Sequence, residues 1–138
     1  MLIRPITQRC FALIALCVGM SAHGATSLDL KTSQQILMSQ GEGYYNTYCA
    51  ACHQKDGSGM PLDAPALKKG TPASSYITID KPASNHIDLV LKGIAGTAMI
   101  GYGNLLSNEV LAAIITYERN AWGNNTGDII QPGDIEIE

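Results

Sequence analysis

Cys49-Ala50-Ala51-Cys52-His53 places two thiols and an imidazole within five residues. Thiols three positions apart on a helical turn point to one side, where each can bond a vinyl group of one porphyrin. His53 follows at once and can set a ring nitrogen on the iron. This C-x-x-C-H order is a signature of covalent haem attachment. Other chemistries suit the residues less well. Two cysteines in an exported domain form one disulfide by default. A thioredoxin-like pair expects a strand and then a helix, whereas the residues before Cys49 carry a helical pattern. Zinc needs four ligands and would have to recruit every cysteine and histidine beyond residue 24, His86 included.

A six-coordinate iron needs a second axial ligand, and Met38, Met60 and Met99 are the methionines beyond the first 24 residues. Met38 lies upstream in the helix that leads to the cysteines and reads as a packing residue. Met60 is only seven residues past His53, on the same side of a porphyrin. Met99 sits in Gly96-Thr97-Ala98-Met99-Ile100-Gly101-Tyr102-Gly103, where glycines let backbone pass close to a flat ligand. A lone methionine is usually core filler, but this context makes Met99 the expected ligand. His86 is the competitor. It falls on a predicted helix without glycines and is expected to be a partly exposed polar residue.

The first 24 residues account for the other two cysteines. Arg4 and Arg9 precede an apolar run from Cys10 to Met20, and small residues follow. The pattern is that of a secretory signal peptide, with cleavage after Gly24, or after Ala22 or Ala25. The run is short for a bilayer span, so the mature chain is expected to be exported to the periplasm without membrane insertion. The 138-residue chain has nine basic and twelve acidic residues. The leader takes two of the basic ones and no acidic one, so the formal charge moves from −3 to −5. No Lys/Arg cluster suits nucleic acid, and the acidic balance opposes anionic membranes. A partner with a basic docking patch fits better.

Three helices must position these groups. One is expected from about Thr32, where Thr32-Ser33-Gln34-Gln35 fits a capping box, with Ile36, Leu37, Gly41, Tyr44, Tyr45 and Tyr48 at roughly helical spacing up to Cys49. The second spans about Ser84 to Lys92, with Ile87, Val90, Leu91 and Ile94 on one stripe and Gly93 as its stop. The third follows Ser107 as N-cap. Glu109 suits its positive end, and Val110, Leu111, Ile114, Ile115 and Tyr117 form its apolar face. Long irregular stretches lie between them. They are unusual in a compact domain, but a large apolar cofactor gives such chain something to wrap and replaces part of the core. No internal repeat indicates a second haem. The domain is expected to span 25–138, with 124–138 an extended or partly disordered tail.

From about Ser33 onward the chain resembles the class I c-type cytochromes of the bacterial monohaem kind. Gly41 and Tyr45, eight and four residues before Cys49, resemble the glycine and aromatic at which that family's first helix crosses its last, and Tyr117 would be the aromatic they meet. Asp56-Gly57-Ser58-Gly59 is similar to the family's turn, and Pro65-Ala66-Leu67 to its proline segment. The resemblance implies an all-α cytochrome c fold, with three to five helices around one covalently bound haem c. It further implies that the Pro65 carbonyl accepts a hydrogen bond from His53, and that Met99 is the distal ligand. One departure stands out, Ile100 in place of the family's common proline, whose fixed φ would stiffen the loop. The Asn120-Ala121-Trp122-Gly123-Asn124 ending is similar to cytochromes attached to terminal oxidases or membrane dehydrogenases.

Haem held by His and Met is an arrangement of electron-carrying cytochromes. The expected function is single-electron transfer without catalysis by the protein itself, with a terminal oxidase or dehydrogenase as redox partner. The rival class is a haem-based sensor or peroxidase-like enzyme whose distal ligand is displaceable. A third reading is a tightly held subunit of an oxidoreductase complex.

Overall fold

A computed structural model describes residues 27–71 and 82–136. The expected signal peptide and part of the long middle loop lie outside the described residues. Within them the fold is helical, with α1 (Ser27–Tyr48), α2 (Ala50–His53), α3 (Ala83–Lys92), α4 (Asn108–Asn120) and a 3-10 turn at Pro132–Asp134. No strand occurs among the described residues, only isolated bridges. The all-α cytochrome c expectation holds.

The expected start of the first helix near Thr32 is corrected, because α1 already includes Ser27. Thr32 lies inside the helix and its hydroxyl donates to the Leu28 carbonyl one turn back, 3.0 Å away, so it caps nothing. Only part of the helix finds a partner. Gly41 and Tyr45 are buried, Met38 packs beside them, and Ile36 stays exposed.

The crossing of α1 on α4 is set by Gly41. A Cβ there would stand 2.3 Å from the Ala113 carbonyl oxygen and 2.7 Å from the Tyr117 Cβ, so the helices meet backbone to backbone. One turn on, Tyr45 packs at 5.5 Å from Tyr117 and 4.9 Å from Trp122, ring centre to ring centre. Offset and tilted aromatic pairs at such separations are favourable beyond the area they bury. The Tyr45 hydroxyl, deep in this cluster, donates to the Gln54 carbonyl at 2.6 Å.

On the other side of α4, Ile87, Val90 and Leu91 from α3 meet Leu111, Ala112 and Ile115. Ile94, expected on the same stripe, is largely exposed because Gly93 has already ended the helix. Ser107 takes the N-cap position of α4, though its side chain makes no capping bond. The carboxyl of Glu109 lies below the usual carboxylate range, held there by a backbone hydrogen bond and by Ser107.

Residues 124–136 pack rather than dangle. Ile130 and Ile135 are buried against α3 and α4. Asp128 accepts from Arg119 Nε at 2.7 Å, and Asn108 Nδ2 donates to the Ile135 carbonyl at 3.0 Å.

Candidate haem site

Between α3, α4 and the end of α1 lies an apolar cavity of about 420 Å³, and Cys49, Cys52, His53, Pro65 and Met99 all stand in its wall. Residues up to fifty positions apart in sequence are thereby brought to one space. Its floor is aliphatic, with Val90 from α3 and Leu111 and Ile114 from α4.

The end of α1 and the single turn of α2 carry the thiols and the imidazole. Cys49 links the two helices with near-helical dihedrals, and its carbonyl accepts from the His53 N–H at 3.0 Å. Both thiols are free, Cys52 exposed and Cys49 half-buried. Burial pushes the Cys49 thiol well above its usual range, and the charges of Glu118 and Cys52 push the same way.

His53 is buried, and its Nδ1 lies 2.9 Å from the Pro65 carbonyl oxygen. A carbonyl only accepts, so Nδ1 carries the hydrogen, and in the neutral ring this leaves the lone pair on Nε2. This is the tautomer that an iron-binding imidazole needs, oriented by the acceptor behind it.

Met99 comes from a loop whose shape is written in backbone bonds. Gly93 ends α3 at φ 70°, and a Cβ there would lie 2.5 Å from both the Met99 carbonyl oxygen and the Gly101 nitrogen. The Ile94 N–H donates to the Met99 carbonyl at 2.9 Å, and the Met99 N–H to the Thr97 hydroxyl oxygen at 3.1 Å. Beyond it, the Tyr102 and Gly103 N–H groups donate to the carbonyls of Val90 and Leu91, at 2.9 and 3.2 Å. The loop is thus tied to α3 without a proline at position 100. The Tyr102 hydroxyl also donates to the Tyr48 carbonyl at 3.1 Å, joining this loop to the end of α1.

Met99 is the one methionine among the described residues in the cavity wall. Met38 packs by the aromatic cluster, and Met60 exchanges backbone bonds with Ala64. The expectation for His86 is overturned. Its side chain is 1% exposed, it lines the cavity, and its Nε2 lies 2.9 Å from the Glu118 carboxylate, itself 5% exposed. Glu118 belongs to no motif in the sequence. The signal was there, since Glu118 falls seven positions after Leu111 and four after Ile114, on the buried stripe of its helix.

A flat apolar group held by two thiols, an imidazole with a free Nε2 and a thioether fits this donor set. Comparison with known proteins gives the family. Residues 37–117 match the family described as cytochrome c oxidase, cbb3-type, subunit III, and the chain belongs to that family. It is also similar to the cytochrome c subunit of a quinone alcohol dehydrogenase from Gluconobacter oxydans (strain 621H), 31% identical over 104 residues, covering 70% of this chain and 21% of the relative. Subunits of the same description from Gluconacetobacter polyoxogenes and Komagataeibacter europaeus are each 24% identical over 126 residues, covering 85% of this chain and 26% of theirs. The chain therefore spans about a fifth to a quarter of the length of these relatives. The protein is a c-type cytochrome that binds haem c covalently and transfers electrons. Among the described residues, no helix is long and apolar enough to cross a membrane.

Proposed function

We propose that this cytochrome is a periplasmic single-electron carrier serving a membrane dehydrogenase or terminal oxidase. In this reading Cys49 and Cys52 form the thioether links, His53 Nε2 and the Met99 sulfur are the iron ligands, and residues 1–24 are the cleaved leader. The observation that carries it is the His53 Nδ1 to Pro65 carbonyl bond at 2.9 Å, in the wall of the same cavity as both thiols and Met99.

Bound in this cavity, the haem supplies one-electron cycling between ferrous and ferric iron. The residues supply the rest. The aliphatic floor excludes water and lowers the local dielectric. Pro65 orients the His53 ring, and the backbone bonds around Met99 fix the loop that carries it, so that little rearranges when the charge changes. Methionine is a ligand that raises the potential. The partner class is supported by the relatives, which are cytochrome c subunits of quinone alcohol dehydrogenases, and by the oxidase-subunit family to which the chain belongs.

The test is an optical titration of the purified holoprotein with membranes that contain such a dehydrogenase. Adding the dehydrogenase substrate should reduce the haem, giving the sharp split bands of a low-spin ferrous centre that does not take up carbon monoxide. Rapid carbon monoxide binding by the wild type at neutral pH would overturn the carrier reading in favour of a sensor or peroxidase-like enzyme.

A further inference from the structure

One buried pair in the cavity wall supplies neither an attachment thiol nor an iron ligand. His86 on α3 and Glu118 on α4 form a buried pair, with side chains 1% and 5% exposed and Nε2 to Oε2 at 2.9 Å. The carboxylate requires a hydrogen on Nε2, so any second exchangeable proton of the ring belongs to Nδ1. That atom is buried and has no hydrogen-bond partner among the described residues. A purely structural ion pair is expected to satisfy its remaining polar atoms, because an unmet one costs free energy in a dry interior. Here the unmet atom belongs to a ring that lines the same cavity as both thiols, His53 and Met99.

We propose that the His86–Glu118 pair is a proton-binding site coupled to the haem. The pair gives up one proton to solvent as one electron leaves the haem for a single-electron acceptor, and takes it back when an electron returns. With its proton the pair is neutral overall. Without it, an imidazole beside a carboxylate carries net −1. Removing an electron from the cavity adds a positive charge there, which favours the anionic pair. By reciprocity, the anionic pair favours the ferric state. The sign follows, and the reduction potential falls as pH rises.

The surrounding groups leave this role to the pair, since the other carboxylate of the cavity wall, Asp63, is exposed and belongs to the loop after His53 rather than to α3 or α4. The Glu118 charge is felt at Tyr45 and Cys49 on the α1 side, at Tyr102 in the distal loop and at Tyr117 on α4. Burial is the first cause that raises each of these pKa values, and none of the four loses its proton more readily for being there. His53 is committed through Nδ1 to Pro65. On the two helices, Arg119 is engaged by Asp128, and Lys92 by Asp88 at 3.0 Å on the outer surface. The inference rests on the haem site assigned above.

The experiment compares the holoproteins of wild type, Glu118→Gln and His86→Gln. Midpoint potential is measured from roughly pH 5 to pH 9, the range where a histidine changes charge. Proton release on oxidation is followed with an indicator dye in weak buffer. Wild type should release a proton on oxidation, its ferric-to-ferrous ratio at fixed electrode potential shifting by up to tenfold per pH unit. Both variants should lose most of that dependence while keeping the six-coordinate ferrous spectrum. A flat wild-type potential overturns the proposal, and so does a slope that survives in both variants, which would assign it to another group such as a haem propionate. If neither variant retains haem, the ring-nitrogen NMR signals of His86 in ferrous wild type decide. They must titrate where the potential falls, and a ring fixed in one state overturns the proposal. Loss of the sixth ligand in His86→Gln would overturn the Met99 assignment as well. A flat potential with an intact spectrum overturns the proton site alone.

Discussion

Met99 and His53 reach the cavity from different kinds of backbone, and their substitutions should differ accordingly. His53 belongs to the attachment motif itself, whereas Met99 depends on a loop held by its own hydrogen bonds to Thr97 and Ile94. Met99→Ala should keep the haem attached but open the sixth position. The absorption at the red end of the ferric spectrum should disappear, the potential should fall, and ferrous protein should take up carbon monoxide readily. Met38→Ala and Met60→Ala should leave that absorption in place, since neither side chain lines the cavity. An unchanged spectrum in Met99→Ala would move the ligand elsewhere. The proposed ligands were legible in the sequence because their chemistry is carried by residue type and spacing. His86 and Glu118 were harder, because a polar residue on the edge of an apolar stripe is buried or exposed according to which helix comes to face it. Only the approach of α3 to α4 makes a pair of two isolated residues.

Helix packing turns on the α1–α4 crossing, where Gly41 meets the Ala113 carbonyl and Tyr117. Gly41→Val would drive three carbon atoms into this backbone contact, and overpacking of this kind costs about 1–3 kcal/mol. Gly43, two residues on in the same helix, has nothing within 4 Å of an added Cβ. Gly43→Ala should therefore stabilise by about 0.5–1 kcal/mol through lower backbone entropy in the unfolded chain. Denaturant midpoints of the two holoproteins check both signs, and equal midpoints would show the crossing to be open. The crossing was readable through the family resemblance, in which a glycine and an aromatic four residues on mark where the first helix meets the last. The beginning of α1 was not. Its apolar residues Leu28, Leu30 and Ile36 are exposed and record no core contact, and Thr32 can serve equally as a cap or as a donor to the carbonyl one turn back.

At the scale of the molecule, charge and core make separate predictions. The chain carries a formal −3, or −5 without residues 1–24, so electron exchange with a small cationic reagent should slow as salt is added. An anionic reagent should show the opposite trend, and rates insensitive to salt with both would mean that the net charge does not reach the haem edge. The core prediction goes further. Two apolar clusters flank the cavity, one joining α3, α4 and the tail, the other centred on Tyr45, Leu67 and Tyr117. The cavity wall takes Val90 and Leu111 from the first and Leu67 from the second, so a haem seated there as proposed would be the packing between them. Left unfilled, an apolar space of about 420 Å³ forfeits the packing that its walls would make against the haem, a loss that a marginally stable domain absorbs poorly. Water entry or collapse of the walls would recover part of it, but at the expense of the tertiary packing. Replacing both Cys49 and Cys52 by Ala, in haem-free protein, should therefore leave helical far-UV circular dichroism but no cooperative thermal transition in the near-UV. A sharp near-UV melt in that apoprotein, close to that of the holoprotein, would show that α4 and its two clusters hold the fold without the cofactor.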